Sequence, residues 1–106
     1  MDQTPAPVSL AAARGLDWKP GRSAEVLVDG DLEVRFTGRP THGPQTPHAR
    51  DELYIVASGT GLYRVENNAT KVGAGDLCFA AAHAVHGFED FSDDFCVWIL
   101  FYGPVK

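Results

Sequence analysis

The sequence predicts an all-β fold of about eight short strands, arranged as a barrel or a sandwich. No stretch after residue 16 repeats its apolar residues at the 3.6-residue period of a helix. Instead, short apolar runs recur at near-regular spacing between turn-forming residues. A length of 106 residues, with 44% apolar and 22% charged residues, is typical of one soluble globular domain.

An N-terminal arm precedes the predicted strands. Ser9 can cap a short helix there, and Gly15 is a natural end for it. Trp18 is expected to pack this arm onto the body of the protein. We therefore predict an arm over residues 1–22 and a single β-domain over residues 23–106.

The strands of the body are separated by clear turn signals. They are predicted over residues 24–28, 32–36, 53–58, 62–66, 69–72, 77–80, 83–88 and 95–102. Asp29-Gly30 and Asn67-Asn68 are expected to form hairpin turns, and residues 38–47, with three prolines, a loop. The last strand is apolar on both faces, so each face needs cover. A second subunit could supply one of these covers, and we predict a homodimer.

Charge and cysteine usage narrow the classes of partner and compartment. The formal net charge of −5 disfavours nucleic acid and anionic lipid as partners. Cys78 and Cys96 lie in separate apolar runs without metal-knuckle spacing, which favours two buried free thiols. Neither a signal-peptide pattern nor an apolar run of membrane-spanning length is visible. These observations predict a cytoplasmic protein that acts on neither membranes nor nucleic acid.

Two histidines and one glutamate are the candidate metal ligands. His48 and Glu52 bracket a three-residue corner, so His48 should end one strand and Glu52 should open the next. Glu52 then shares a face with apolar residues, where its charge needs compensation. His86 is the one imidazole on another apolar face. A metal ion would compensate Glu52; in the alternative interpretation it is a rim residue paired with Arg50.

The same residues resemble the two motifs of the cupin family. His48, Glu52 and Gly59 are separated by three and six residues, and Gly75 precedes His86 by eleven positions, as in small single-domain cupins of the conserved-barrel type. The chain departs from both motifs at Pro40, Thr46, Ala81, His83 and Asp90. The resemblance implies a conical jelly-roll β-barrel with a metal inside, and only three of the family's four usual ligands remain.

The resemblance leaves the coordination and the metal open. Thr46 stands where the first histidine of the family's pair is expected, so Thr46, His42, Gln45 or water could complete the site. The set of two imidazoles and one carboxylate suits one divalent ion per subunit, which could be Zn, Fe, Mn or Ni.

The function implied is metal-dependent chemistry on a small polar metabolite, for example as a dioxygenase or an isomerase. Tyr54 and His83 are the candidate catalytic groups for proton transfer. The alternative is a non-catalytic module that binds or senses a sugar or metabolite. At the barrel mouth Arg35, Arg39 and Arg50 could bind a small anion, although a solvated strand face is the simpler interpretation.

Overall fold

The computed structural model describes residues 6–45 and 47–106, which form one short helix and nine strands. In chain order these are α1 Leu10–Arg14, β1 Ala24–Asp29, β2 Leu32–Thr37, β3 Gly43–Pro44, β4 Asp51–Ser58, β5 Thr60–Val65, β6 Asn68–Gly73, β7 Leu77–Ala80, β8 His86–Glu89 and β9 Cys96–Tyr102. The all-β prediction is confirmed. No helix within the described residues is long and apolar enough to cross a membrane.

The strands form two antiparallel sheets. One has the order β1-β2-β9-β4-β7 and the other the order β3-β8-β5-β6. Alternate residues of each strand point to the same face, so the inner faces supply the core between the sheets. Tyr54, Val56, Val97 and Ile99 come from the first sheet, and Phe88 comes from the second. The two predicted motifs therefore enter the same interior from opposite walls, since β4 carries Glu52 and β8 begins at His86.

The arm packs on the outer face of the five-stranded sheet. Ser9 caps α1 by accepting a hydrogen bond from the Ala12 amide at 3.0 Å, and Gly15 is its C-cap, as predicted. Ala13 is fully buried in a second apolar cluster with Phe36 and Cys96.

Trp18 joins that second cluster from the edge, so it packs the arm onto the body as expected. The chain's own arm, rather than a second subunit, thus covers the outer face of β9 near Cys96 and Trp98. The boundary between residues 22 and 23 stays a prediction.

Several predicted boundaries shift by a few residues. The hairpin between β5 and β6 turns at Glu66-Asn67 rather than at Asn67-Asn68, and Glu66 carries the left-handed φ of 52°. The predicted loop 38–47 contains β3, because its Gly43-Pro44 pair bonds to β8 and forms the edge of that sheet. Both cysteines are buried and free, as predicted.

Candidate functional site

Glu52 and His86 meet in the interior. Glu52 is 2% exposed and His86 2% exposed, and Glu52 Oε1 lies 2.9 Å from His86 Nε2. That contact lacks the direction of a hydrogen bond, and Oε1 is a fully buried oxygen with no hydrogen-bond partner among the described residues. A buried carboxylate oxygen without such a partner is costly unless a cation compensates it.

The neighbours of His86 fix which nitrogen can bind a metal. His86 Nδ1 lies 2.9 Å from the Ala84 carbonyl oxygen, so Nδ1 carries the proton and donates it. In the neutral ring, Nε2 then presents its lone pair toward Glu52 and the Tyr54 hydroxyl, which lies 3.0 Å away. A backbone carbonyl on the distal nitrogen is the usual way in which proteins orient a metal-binding imidazole.

The charge of Glu52 also acts on the ring of His86. Burial lowers the pKa of the His86 imidazole, but the carboxylate of Glu52 and the carbonyl of Ala84 outweigh burial and raise that pKa above its ordinary value. The pocket therefore favours a positive charge at Nε2, whether a proton or a metal ion supplies it.

His48 completes the predicted set from the segment before β4. The expectation that His48 ends a strand was wrong: residues 47 and 48 have no regular structure, and β4 begins at Asp51. The ring of His48 packs edge-on against Phe101, with ring centroids 5.1 Å apart. Its Nε2 lies 3.9 Å from Glu52 Oε1, and its backbone carbonyl accepts a hydrogen bond from the His83 amide.

The three side chains fit a divalent metal. One ligand atom from each of His48, Glu52 and His86 lies within 4.8 Å of the other two. Ligand atoms that share an ion at about 2.1 Å are themselves roughly 3.0–3.4 Å apart. The pair of Glu52 and His86 already lies near that separation, and a small movement of the half-buried His48 would bring the third atom in.

The alternative partner for Glu52 lies elsewhere. Arg50 donates to the Gly103 carbonyl at 3.1 Å and to the Asp31 carbonyl, and its Nη1 lies 3.7 Å from Glu33. The interpretation of Glu52 as a rim residue paired with Arg50 is therefore wrong. The period-2 pattern of β4 had already placed Glu52 on the face of Tyr54.

Two of the proposed fourth ligands can be located. The ring of His42 stacks on Phe91 with centroids 4.5 Å apart, and its Nε2 accepts a hydrogen bond from the Asp90 amide. His42 does not line the cavity that contains the side chains of His48 and Glu52. Gln45 lines the same cavity as His48 and Glu52. Thr46 lies outside the described residues.

Tyr54, one of the two candidate proton-transfer groups, lies at the triad. It is 1% exposed, and burial, followed by the nearby Glu52 carboxylate, raises the pKa of its phenol far above the ordinary value. At neutral pH the phenol therefore stays protonated and acts as a donor, as it does toward His86 Nε2.

His83, the other candidate group, is exposed on the loop between β7 and β8. Its Nε2 contacts the Lys106 carbonyl oxygen at 2.8 Å, and it is not among the residues that line the cavity. Its φ of 70° lies in the left-handed region, which glycine adopts more readily than histidine.

A network of contacts around Lys106 supports the site, and no pattern in the sequence predicts it. Lys106 Nζ lies 2.6 Å from Asp51 Oδ2, and the other oxygen of Asp51 accepts from the Ala82 amide at 2.9 Å. The Lys106 amide donates to the Ala49 carbonyl at 2.7 Å. The hydrogen bond to Lys106, followed by that from Ala82, lowers the pKa of the Asp51 carboxyl. These contacts tie the His48 segment to the His83 loop, although their partners are far apart in sequence.

His48 and Glu52 of the triad, together with Tyr54, line a cavity of about 320 Å³, and His86 lies buried behind Tyr54 and Glu52. The walls of the cavity include Ser23, Glu33, Arg35, Thr37, Ile99 and Phe101. Arg22, at the end of the predicted arm, also lines it. The arrangement can therefore hold a metal ion beside a small molecule.

The family assignment rests on a match over most of the barrel. The family model for the cupin domain (Cupin_2) matches residues 32–102, which include all three triad residues. The chain belongs to the cupin family. The resemblance seen in the two motifs is thus confirmed.

Individual proteins that this chain resembles differ in their described roles. An uncharacterized protein of Streptomyces coelicolor is 36% identical over 64 residues, which span 60% of this chain and 61% of that protein. A DMSP lyase chain superposes with a TM-score of 0.61 at 26% identity over 73% of this chain and 41% of its own. A candidate mannose-6-phosphate isomerase of Ralstonia eutropha superposes with a TM-score of 0.72 at 17% identity, over 94% of this chain and all of that one.

The chain thus spans 61% and 41% of the lengths of the first two of these relatives, which is less than two thirds of each. Similarity at this level to proteins with such different roles supports the fold without selecting an activity.

Proposed function

We propose that this cupin holds one divalent metal through His48, Glu52 and His86 and binds a small polar metabolite beside it. The observation that carries the proposal is Glu52 Oε1, a fully buried oxygen without a hydrogen-bond partner that lies between two imidazoles. Coordination to a metal ion would compensate the cost of burying the Glu52 carboxylate without a hydrogen-bond partner.

When bound, the metal would supply Lewis-acid activation of a ligand oxygen or, if redox-active, a site for dioxygen. The donor set of two imidazoles and one carboxylate accepts Zn, Fe, Mn or Ni, so the identity of the metal stays open. An isomerase or a dioxygenase would both be compatible with this set.

The chain's own contribution to chemistry would come from Tyr54. A phenol that stays protonated at neutral pH can donate a hydrogen bond to an oxygen of a bound ligand, and it holds no phenolate that could act as a base. Its 3.0 Å approach to His86 Nε2 places it directly at the triad. His83 stays a prediction as a rim acid or base, and its place outside the cavity favours a structural part in holding the loop.

The second candidate function is a module that binds or senses a metabolite without turnover. Two observations favour it. Within residues 6–45 and 47–106 the metal-binding group has three members rather than four. In addition, Tyr54 is the sole predicted proton-transfer group that lines the cavity, and it is suited to donation alone.

We also propose a reducing compartment such as the cytoplasm. Cys78 and Cys96 are both buried as free thiols, and free thiols of this kind are usual in reducing surroundings.

Metal analysis of protein purified without a histidine tag tests the site. We expect about one equivalent of metal in the wild type and a loss of at least tenfold in metal affinity for Glu52→Ala and His86→Ala, because each removes a direct ligand. His42→Ala is the matched control, since it removes an exposed imidazole that contacts Phe91 instead. Metal content that is unchanged in both triad variants would contradict the site.

Two measurements on the metal-loaded protein separate the enzyme from the sensor. A small-metabolite panel is screened by melting shift, and each molecule that shifts the melting temperature is then followed for turnover and oxygen consumption. Conversion that is lost in Tyr54→Phe supports the enzyme. A shift without conversion supports the sensing module.

A further inference from the structure

The cavity has a second polar end opposite the triad. Across the inner face of the sheet, Arg35 on β2 pairs with Ile99 on β9, which pairs with Tyr54 on β4. In the next row Glu33 pairs with Phe101, and Phe101 pairs with Glu52. Neighbouring strands are about 4.8 Å apart, so the backbones of β2 and β4 are separated by roughly 10 Å. An apolar strip therefore separates the triad from a charged end.

The guanidinium of Arg35 is held in place at that charged end. Its Nε donates to Ser23 Oγ at 2.7 Å, its Nη2 to the Ser23 carbonyl at 2.9 Å, and its Nη1 to Glu33 Oε2 at 3.0 Å. An arginine has five N–H donors, so these three bonds leave two for a ligand in the cavity. Only 26% of the side chain is exposed. A guanidinium fixed in this way loses little freedom when it binds an anion.

The charge at this end is positive although the chain as a whole is acidic. Arg22 and Arg35 line the cavity together with a single carboxylate at this end, that of Glu33. Arg22 also lies 3.5 Å from the exposed carboxylate of Asp17, which it shares with Lys19. Arg50 Nη1 approaches the same carboxylate to 3.7 Å from the other side. Glu33 is thus shared between two arginines and cannot neutralise both. A ligand carboxylate would meet a net positive charge here, against a formal net charge of −5 for the chain.

We propose that the cavity binds a small linear organic acid whose carboxylate contacts Arg35 and whose other end carries an oxygen group toward the triad. The apolar strip of Ile99 and Phe101 would contact the carbon chain between the two ends. This inference rests on the proposed function for the identity of the triad end, while the carboxylate end depends on Arg35 alone. Without a ligand role, Arg35 would serve only to tie β1 to β2 through Ser23.

Calorimetric titration with malonate, succinate, glutarate and adipate tests the proposal. Each is titrated into metal-loaded and metal-free protein, with 1,5-pentanediol as the uncharged counterpart of glutarate. We expect at least one diacid to bind and the diol not to bind. Arg35→Gln should weaken that binding about tenfold or more, because it removes a charged hydrogen-bond donor. Arg39→Gln is the matched control, since Arg39 pairs with the exposed Asp93 and does not line this cavity.

Each outcome decides one of the two claims. Diacid binding that depends on Arg35 in both metal-loaded and metal-free protein supports the acid site, even if the triad proves to hold no metal. Equal affinity of wild type and Arg35→Gln, or equal binding of the diol, overturns the acid site. Failure of every diacid to bind metal-loaded wild type also overturns it, whatever the metal analysis gives. If Arg35→Gln has a lower melting temperature than the wild type but the same affinity for the diacid, Arg35 has only a structural role and the acid site is overturned.

Discussion

Cys78 lies directly opposite Tyr54 on the neighbouring strand, with its thiol inside the barrel. Burial, with a smaller part from the Asp76 carboxylate, raises the pKa of the Cys78 thiol to about 11 from 9.0. Burial likewise raises the pKa of the phenols of Tyr54 and Tyr63. In the unfolded chain the thiol loses its proton near pH 9, whereas in the native protein it keeps it to about pH 11. The native state therefore loses relative stability as the pH rises above about 9.

We predict that the free energy of unfolding is nearly constant from pH 7 to 8.5, falls by about 1 kcal/mol between pH 9 and 10, and falls more steeply above pH 10, where the phenols of Tyr54 and Tyr63 add to the effect. Urea unfolding at several pH values measures this fall. Cys78→Ala should reduce the slope between pH 9 and 10. A slope that is the same in the variant and the wild type would contradict the assignment to Cys78.

At the scale of single residues, the period-2 pattern predicted the inward positions of Glu52 and His86. Glu52 and His86 occupy inward positions because alternate residues of a strand share a face, and that rule needs no tertiary information. The left-handed backbone of His83 and the network of Lys106 could not be predicted in this way. Both depend on contacts between segments that are distant in sequence, such as the hydrogen bond from the His83 amide to the His48 carbonyl.

At the scale of elements, the arm docks through a close contact between Trp18 and Gly38. A methyl group added at Gly38 would lie 2.5 Å from two ring carbons of Trp18, well inside contact distance. We predict that Gly38→Ala displaces the indole and destabilises the protein by about 1–3 kcal/mol, the usual cost of overpacking. Tryptophan fluorescence and urea unfolding report the displacement and the loss of stability.

Gly15→Ala is the matched control for that experiment. Its added methyl group would lie 3.5 Å from the Ala12 carbonyl oxygen, an ordinary contact, and its backbone is right-handed. We expect its stability to stay within a few tenths of a kcal/mol of the wild type or to rise slightly. Equal unfolding curves for Gly38→Ala and the wild type would show that the arm does not depend on this contact.

The element boundaries show where local signals are strong and where they are not. Ser9 and Gly15 predicted both ends of α1, because capping is decided by neighbouring residues. β3 was missed, since two residues that include a proline carry no strand signal and pair only through their contact with β8. The turn between β5 and β6 lies one residue earlier than the Asn67-Asn68 pair suggested, because the register of the two strands places Val65 opposite Asn68.

At the scale of the whole molecule, one part of the outer sheet face is apolar and open to solvent. The arm covers the end near Phe36, whereas large apolar side chains at the β7 edge are exposed by 37–65%. These exposed residues are Ile55, Leu77, Phe79 and Tyr102. The register brings them to one face, and β7 is the unpaired edge strand of its sheet. Soluble monomers seldom expose such a contiguous patch beside an open edge.

In the predicted homodimer, the apolar patches of two copies would pack against each other on this face. Light scattering coupled to size-exclusion chromatography should then give twice the chain mass of 11.4 kDa for the wild type. Phe79→Glu should weaken association about thirtyfold or more, because it places a charge on the patch that the second copy would bury. Val28→Glu is the control, since Val28 is also exposed but lies on β1 at the opposite edge of the sheet. A wild-type mass that stays monomeric at every concentration, or equal dissociation in both variants, would show that a second copy does not cover this face.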